Sequence, residues 1–346
     1  MSRKILSLII IIALVFNLTG CSTKNERYQA QFLELFDTVT TIIGYAQDKD
    51  TFTEYAEMVY DNLDAYHKLY DKYNDYDGIN NIKTINDNAG IAPVKVDQRI
   101  IDLLLFSVEA YELSDGEMNV AYGAVLEVWH DYREAGTENP DEAEVPPLEL
   151  LKEKAQHTDI NKVIIDDEND TVYLEDPEMS LDVGGIAKGY ATEQVARILQ
   201  ENGVTSMLLS VGGNIRAIGS RDNKDPWSVG IQNPDLDSEE QYLFITQVKD
   251  LSVVSSGDYE RYYTVDGKRY HHIIDPDTMM PADYFREVSI ICKDSGLADV
   301  LSTTLFNISK EDGLKLVESL GDTEAMWVMK DGTITYSSGF ESYIKE

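Results

Sequence analysis

An α+β fold with mostly antiparallel sheet is predicted by three observations. Helical periodicity leads early in the chain, strand patterns dominate late, and two late strand pairs are joined by Asp-Gly turns, at Asp266-Gly267 and Asp331-Gly332. No short-period repeat is present. A duplicated architecture, with each half giving a sheet and a helix pair, is compatible with this order.

The chain opens on a targeting pattern. Arg3 and Lys4 are basic, residues 5–16 are apolar, and Leu18-Thr19-Gly20-Cys21 is a small-residue cleavage site ending in cysteine. This resembles a bacterial lipoprotein signal, in which residues 1–20 are removed and the thiol of Cys21 carries lipid. A tether is then expected over residues 21–31 and one folded domain over 32–346. Cys292 is the only other cysteine, so neither an internal disulfide nor a cysteine-based metal site is available.

Residues 32–45, around Phe36-Asp37-Thr38, alternate apolar and β-branched side chains and read as a first strand. Phe52, Tyr55, Ala56, Val59, Leu63, Tyr66 and Tyr70 recur at helical spacing and predict a helix with an aromatic buried face. Residues 73–90, dense in Asn, Asp and Tyr, read as a long loop. A second helix should run from an Asp97 cap to about Leu113, stopped by Ser114-Asp115-Gly116. The acidic, Pro-bearing stretch 136–147 reads as an exposed excursion.

Residues 161–174 predict a hairpin. A short apolar strand at 181–183 then enters Gly184-Gly185 and a helix that stops at Asn202-Gly203. Such a junction suits a phosphate: the glycines admit a ligand close to the backbone, and the new helix offers free N–H groups, with Lys188 nearby. Strand 205–211 leads into a second diglycine, Gly212-Gly213-Asn214, which suggests two backbone surfaces converging on one ligand. Strands follow at 229–232, 242–248, 251–254 and 288–292, with helices opening near Gly296 and over 311–320.

Against 29 basic residues stand 63 acidic ones, a net charge of −34. Such a surface disfavours nucleic acid and anionic lipid, and for a phosphate ligand it calls for a divalent cation. Asp299 and Thr303, four residues apart on a predicted helix, put a carboxylate and a hydroxyl on one face, a hard-oxygen pair suited to Mg2+ or Ca2+. The same pair is equally accounted for by a helix-terminal acid and a threonine bonded to its own preceding turn. His271-His272 precedes Ile273-Ile274-Asp275-Pro276; in a strand one of the two histidines faces a pocket and its neighbour faces away. Either the pocket histidine accepts a proton from an attacking hydroxyl or the pair is merely packed. Ser255-Ser256-Gly257-Asp258-Tyr259-Glu260-Arg261 reads as a flexible turn that positions substrate. Neither a Rossmann fingerprint nor a P-loop is present.

In order, residues 181–191, Gly212-Gly213-Asn214, Ser255-Ser256-Gly257-Asp258-Tyr259, His271 to Pro276, and Ala298-Asp299 with Ser302-Thr303 resemble the motifs of the FAD:protein FMN transferases, the ApbE-type flavin transferase lipoproteins. The resemblance implies an ApbE-like, duplicated T-fold-like architecture. It also implies Mg2+-dependent transfer of FMN from FAD to a Thr or Ser hydroxyl of a partner protein, with release of AMP. The implied metal site is Asp299, Thr303 and the Gly185 carbonyl, and the implied base is His272. Asp182, Lys188 and His271 match positions beside FAD, as, less regularly, do Phe36, Tyr73 and the run Glu117-Met118-Asn119, where Asn119 replaces an acid. The Ser/Thr-Gly-Ala-Ser/Thr acceptor motif is absent, so modification in trans is implied, of a membrane-associated redox protein at the outer face of the cytoplasmic membrane. An FAD pyrophosphatase releasing FMN and AMP, and a non-catalytic flavin-binding lipoprotein, are the competing expectations.

Overall fold

The computed structural model describes residues 25–345; the leader and Cys21 lie outside the described residues. From the amino end, β1 (Glu26–Leu35) and β2 (Thr38–Ala46) lead into α1 (Lys49–Tyr70), α2 (Ile82–Asp87), β3 (Val94–Lys95), α3 (Gln98–Leu113), α4 (Gly123–Glu138) and α5 (Leu148–Lys154). Next come β4 (Val163–Asp166), β5 (Thr171–Leu174), α6 (Ala187–Glu201), β6 (Ser206–Val211), β7 (Asn214–Gly219), β8 (Trp227–Gln232), β9 (Tyr242–Val248) and β10 (Ser252–Gly257). The chain closes through β11 (Tyr262–Val265), β12 (Lys268–His271), β13 (Ile274–Asp275), β14 (Met280–Pro281), β15 (Phe285–Cys292), α7 (Ser295–Asn307), α8 (Lys310–Leu320), β16 (Glu324–Met329) and β17 (Ile334–Tyr336).

Eight strands form one sheet in the order β1-β2-β6-β7-β10-β15-β16-β17. Every junction is antiparallel. The order contains a duplication. In the first half α1 and α6 fall between the strand pairs β1-β2 and β6-β7; in the second, α7 and α8 fall between β10-β15 and β16-β17. On one face Val254, Val288, Ile290 and Cys292 bury against Ala298, Leu301, Leu305 and Phe306 of α7. The other face is covered by Trp227, Val229 and Ile231 of the β8-β9 hairpin, packed on Val253, Ile291 and Met326. At about 1.5–3 kcal/mol per fully buried large aliphatic side chain, these layers fix the sheet against which the site is assembled.

Several elements differ from the sequence expectation, each for a local reason. The single first strand is a hairpin, because Phe36 and Asp37 both adopt positive φ (53° and 52°) and reverse the chain. Its first arm starts at Glu26, inside the expected tether. The 73–90 loop contains α2, whose Asn81 cap and Thr84 bond each other reciprocally. The 136–147 excursion begins as the end of α4, and Tyr263 Oη donates to the Glu144 carbonyl (2.9 Å). Residues 181–183 join no ladder: Asn86 bonds the backbone of Leu181 on both sides, and Asp182 N donates to the Val120 carbonyl. The second diglycine is the β6-β7 hairpin turn, with φ of 53° and 90°. Ser255 and Ser256 lie within β10 rather than in a turn.

Candidate active site

The site forms where the first turn of α6 meets α7. Helix α6 begins at Ala187 with no side-chain cap of its own. Asp299 of α7 supplies one: its Oδ2 accepts from Gly189 N at 2.8 Å. In a regular helix that amide would serve the carbonyl of Gly185. The helices cross so closely that a Cβ on Gly189 would lie 2.4 Å from both Asp299 Cβ and the Ser295 carbonyl oxygen, so only glycine fits. Asp299 therefore does complement a helix terminus, but the helix is α6, not its own. One carboxylate oxygen remains for other use.

Burial pushes the Asp299 carboxyl above its ordinary range, while Lys188, the Gly189 amide and Asn214 act in the opposite direction. Asn214, at the turn between β6 and β7, has its Oδ1 buried without a partner. The second diglycine thus reaches the site through its asparagine. Thr303 stands half-buried one turn beyond Asp299. Its neighbours Ser302 and Thr304, instead, bond back to the Asp299 and Val300 carbonyls. Ser302 Oγ also meets Ser256 Oγ at 2.8 Å, tying β10 to the site helix.

Gly184 and Gly185 form an exposed turn ahead of α6; a Cβ on Gly185 would meet only Met118, at 3.4 Å. Lys188 Nζ reaches back to the Gly184 carbonyl (3.3 Å). Asp182 Oδ1 accepts from Gly184 N, and its other oxygen pairs with Lys72 Nζ at 2.8 Å. Burial opposes the Asp182 charge, yet Lys72 and the Gly184 amide hold the carboxyl below its usual range. Among the described residues no group of three or more His, Cys, Asp or Glu is gathered for a metal. A cation here would instead meet one carboxylate, a hydroxyl, a turn carbonyl and the orphaned Asn214 Oδ1, hard oxygens that suit Mg2+ or Ca2+.

The histidine pair divides its roles. β12 ends at His271, which is 5% exposed, donates from Nε2 to the Ala282 carbonyl (2.9 Å) and accepts at Nδ1 from Ile273 N. Both ring nitrogens are committed to the fold, so the expected contact of His271 with a cofactor is one the imidazole cannot make without breaking such a bond. His272 sits in the bend after it, with Nδ1 buried and unpartnered. Burial, then His271, Arg261, Lys188 and Arg133, lower its pKa to about 3, so the ring is neutral at ordinary pH with a lone pair to offer.

Tyr73 is 53% exposed, beside the Lys72 ammonium (5.1 Å to its ring centroid) and the His130 ring (5.2 Å). Tyr70 is buried with its hydroxyl on the Arg99 carbonyl, and Tyr76 is bonded to Asp71, which leaves Tyr73 as the ring free to stack on a ligand. Phe36, at the first hairpin turn, packs edge-on against His67 (5.7 Å), whose other neighbour is Tyr76. Met118 lines the Gly185 turn. Glu117 is pushed up to about 7 by burial and by Asp275 and Asp277, with Oε2 buried and unpartnered. Asn119 caps the following 3-10 turn through Ala121 N and donates to the Thr158 carbonyl, so its amide is taken by the fold. Sequence reasoning missed Lys72, His130 and Arg133. The only signal for them was their scarcity, as cations in a strongly acidic chain.

Residues 36–327 match the model of the ApbE family. A FAD:protein FMN transferase of Treponema pallidum is 33% identical over 278 residues, spanning 76% of this chain and 75% of its own length. One from Klebsiella pneumoniae is 32% identical over 276 residues, spanning 78% and 83%. The crystal structure of the ApbE protein of Thermotoga maritima superposes with a TM-score of 0.80 at 30% identity, covering 93% of this chain and 100% of that one.

Proposed function

The chain belongs to the ApbE family, and from that premise we propose that it is a FAD:protein FMN transferase acting on a Thr or Ser hydroxyl of a separate acceptor protein. The observation that carries this reading is the neutral His272 ring, rimmed by Lys188, Arg261 and Arg133, beside a site that also contains the buried Asp299 carboxylate.

In the proposed reaction the acceptor hydroxyl oxygen attacks the phosphorus on the FMN side of the pyrophosphate. The new P–O bond forms as the bond to the AMP phosphate breaks, and AMP leaves with the electron pair. The hydroxyl proton passes to His272, whose neutral form can take it. Cations around the ring discourage protonation in the free protein. Bound phosphates offset those charges and raise the basicity of the ring when it is needed. Asp182 and Lys188 hold the turn, and Tyr73 offers its exposed face to the flavin. Mg2+ held by Asp299, Thr303 and the Gly185 carbonyl would neutralise charge on the pyrophosphate. Upstream, we propose that Cys21 carries lipid and tethers the domain to the outer face of the cytoplasmic membrane, within reach of a membrane-associated redox acceptor.

The test mixes the purified protein with FAD, Mg2+ and a candidate acceptor, and reads the acceptor mass together with free AMP. An FMN increment with equimolar AMP is expected. AMP without an adduct would make the protein a pyrophosphatase, and intact FAD would leave only a flavin-binding lipoprotein.

A further inference from the structure

The α4 side of the pocket has so far only an electrostatic influence on His272, yet it holds an unusual cation, Arg133. Arg99, Arg197, Arg216, Arg221 and Arg286 each face a carboxylate. Among the described residues, Arg27, Arg133, Arg261 and Arg269 have none in contact, and of these four only Arg133 is not exposed, in a chain with 63 acidic residues against 29 basic ones. Arg133 is half-buried, and the last turn of α4 contains no basic residue, so it does not serve the helix C-terminus.

The guanidinium is nevertheless held in place. Its Nη2 lies 3.0 Å from His130 Nδ1, and His130 Nε2 lies 3.1 Å from Glu134. Because arginine only donates, Nδ1 accepts and the imidazole proton is on Nε2, facing Glu134. The same imidazole packs at a tilt against Tyr73, the exposed aromatic of the pocket, with ring centroids 5.2 Å apart. Arg261 approaches from the loop after β10, and its backbone carbonyl accepts from His272 N (3.0 Å). Burial and then the Arg261 charge both disfavour the Arg133 cation. Two guanidiniums that repel each other beside a neutral imidazole form an arrangement that an anion completes.

Resting on the reading of this pocket as a flavin dinucleotide site, we propose that Arg133 and Arg261 together bind the ligand's phosphates, so that the pocket selects phosphorylated flavins over riboflavin. His130 of α4, in contact with both Arg133 and Tyr73, then ties the phosphate contact to the flavin contact.

The experiment titrates the full protein calorimetrically with FAD, riboflavin and inorganic pyrophosphate, for wild type, Arg133→Gln and Arg133→Lys. Arg133→Gln should weaken FAD and pyrophosphate binding roughly tenfold to a hundredfold, as loss of a charged hydrogen bond does. Riboflavin affinity should stay unchanged, and Arg133→Lys should recover part of the loss. Thermal unfolding of Arg133→Gln should match wild type or exceed it, because a repelling charge is gone. Unchanged FAD and pyrophosphate affinities, an equal loss for riboflavin, or a wild type that binds neither phosphate probe would each overturn the proposal. A wild type that binds FAD but gives no FMN adduct overturns the transferase reading instead, and the affinity ratios still decide the role of Arg133.

Discussion

Glu193 of α6 and Asp299 of α7 face each other across the contact between their helices and have opposite fates. Each is a buried carboxylate, and each bonds the first turn of the other's helix. Glu193 Oε2 accepts from Ser295 N of α7 (3.0 Å), and Asp299 Oδ2 accepts from Gly189 N of α6 (2.8 Å). Around Glu193 the fold closes the charge: Arg216, 1% exposed, bonds it at 2.9 Å, and Arg197 meets its other oxygen. Among the described residues, Asp299 has no cation in contact, only Lys188 at longer range. Of two buried acids that cap each other's helices, the one left without a cation is the one that stands in the candidate site.

Removing the compensated acid should do the greater damage to the fold. Glu193→Ala strands Arg216 in the interior and leaves the Ser295 amide of α7 without its partner, though Asp294 still caps that helix, and should destabilise by about 3–5 kcal/mol; urea unfolding reads this. A small loss would mean that Asp250, 3.3 Å from Arg216 Nη1, suffices as its partner. Asp299→Asn should reverse the pattern. Its amide oxygen still accepts from Gly189 and a buried charge disappears, so stability should hold or rise, while FMN transfer falls roughly a hundred- to a thousandfold. Comparable losses of stability in the two variants would erase the distinction between the two acids.

How much of this contrast was legible in the sequence depends on the range of the interactions. The strand-turn-strand signals at 266–267 and 331–332, the Asp97 cap and the 161–174 hairpin came through because each is settled by neighbours in the chain. Asp299, Thr303 and His272 stood out because their spacing matched a family pattern. The mutual capping of α6 and α7 was not visible, since Gly189 and Asp299 are 110 residues apart and nothing local tells which helix an acid will cap. Positive φ at Phe36 and Asp37, which splits the first strand, also defied reading, because a bulky Phe rarely adopts positive φ and the turn tendency of one Asp was masked by the apolar, β-branched run around it. His130 and Arg133 were passed over for a different reason: a helix-spaced pair means little until Tyr73 and His272 are seen to face it.

A third buried acid sharpens the comparison by having neither a cation nor a ligand to meet. Glu287 of β15 is wholly buried on the opposite face of the sheet from α7, accepting from Tyr259 Oη (3.2 Å) and Ser289 Oγ (3.0 Å). Burial is the main reason its pKa rises from 4.5 to about 7, with the hydroxyl bonds and Glu260 acting as smaller influences. Because the folded value lies above the unfolded one, the protonated carboxyl contributes stability in full below about pH 4.5, and that contribution fades as pH rises through about 7. Glu287→Gln keeps an acceptor oxygen for Tyr259 and Ser289 and removes the titration. The unfolding free energies of wild type and variant should therefore lie close together at pH 4.5, with the variant ahead at pH 8 by up to about 3 kcal/mol. FMN transfer should be unchanged, because Glu287 faces away from the site. A pH-independent difference would mean that the carboxylate stays charged in the fold, and burial alone would then not separate a structural acid from a functional one.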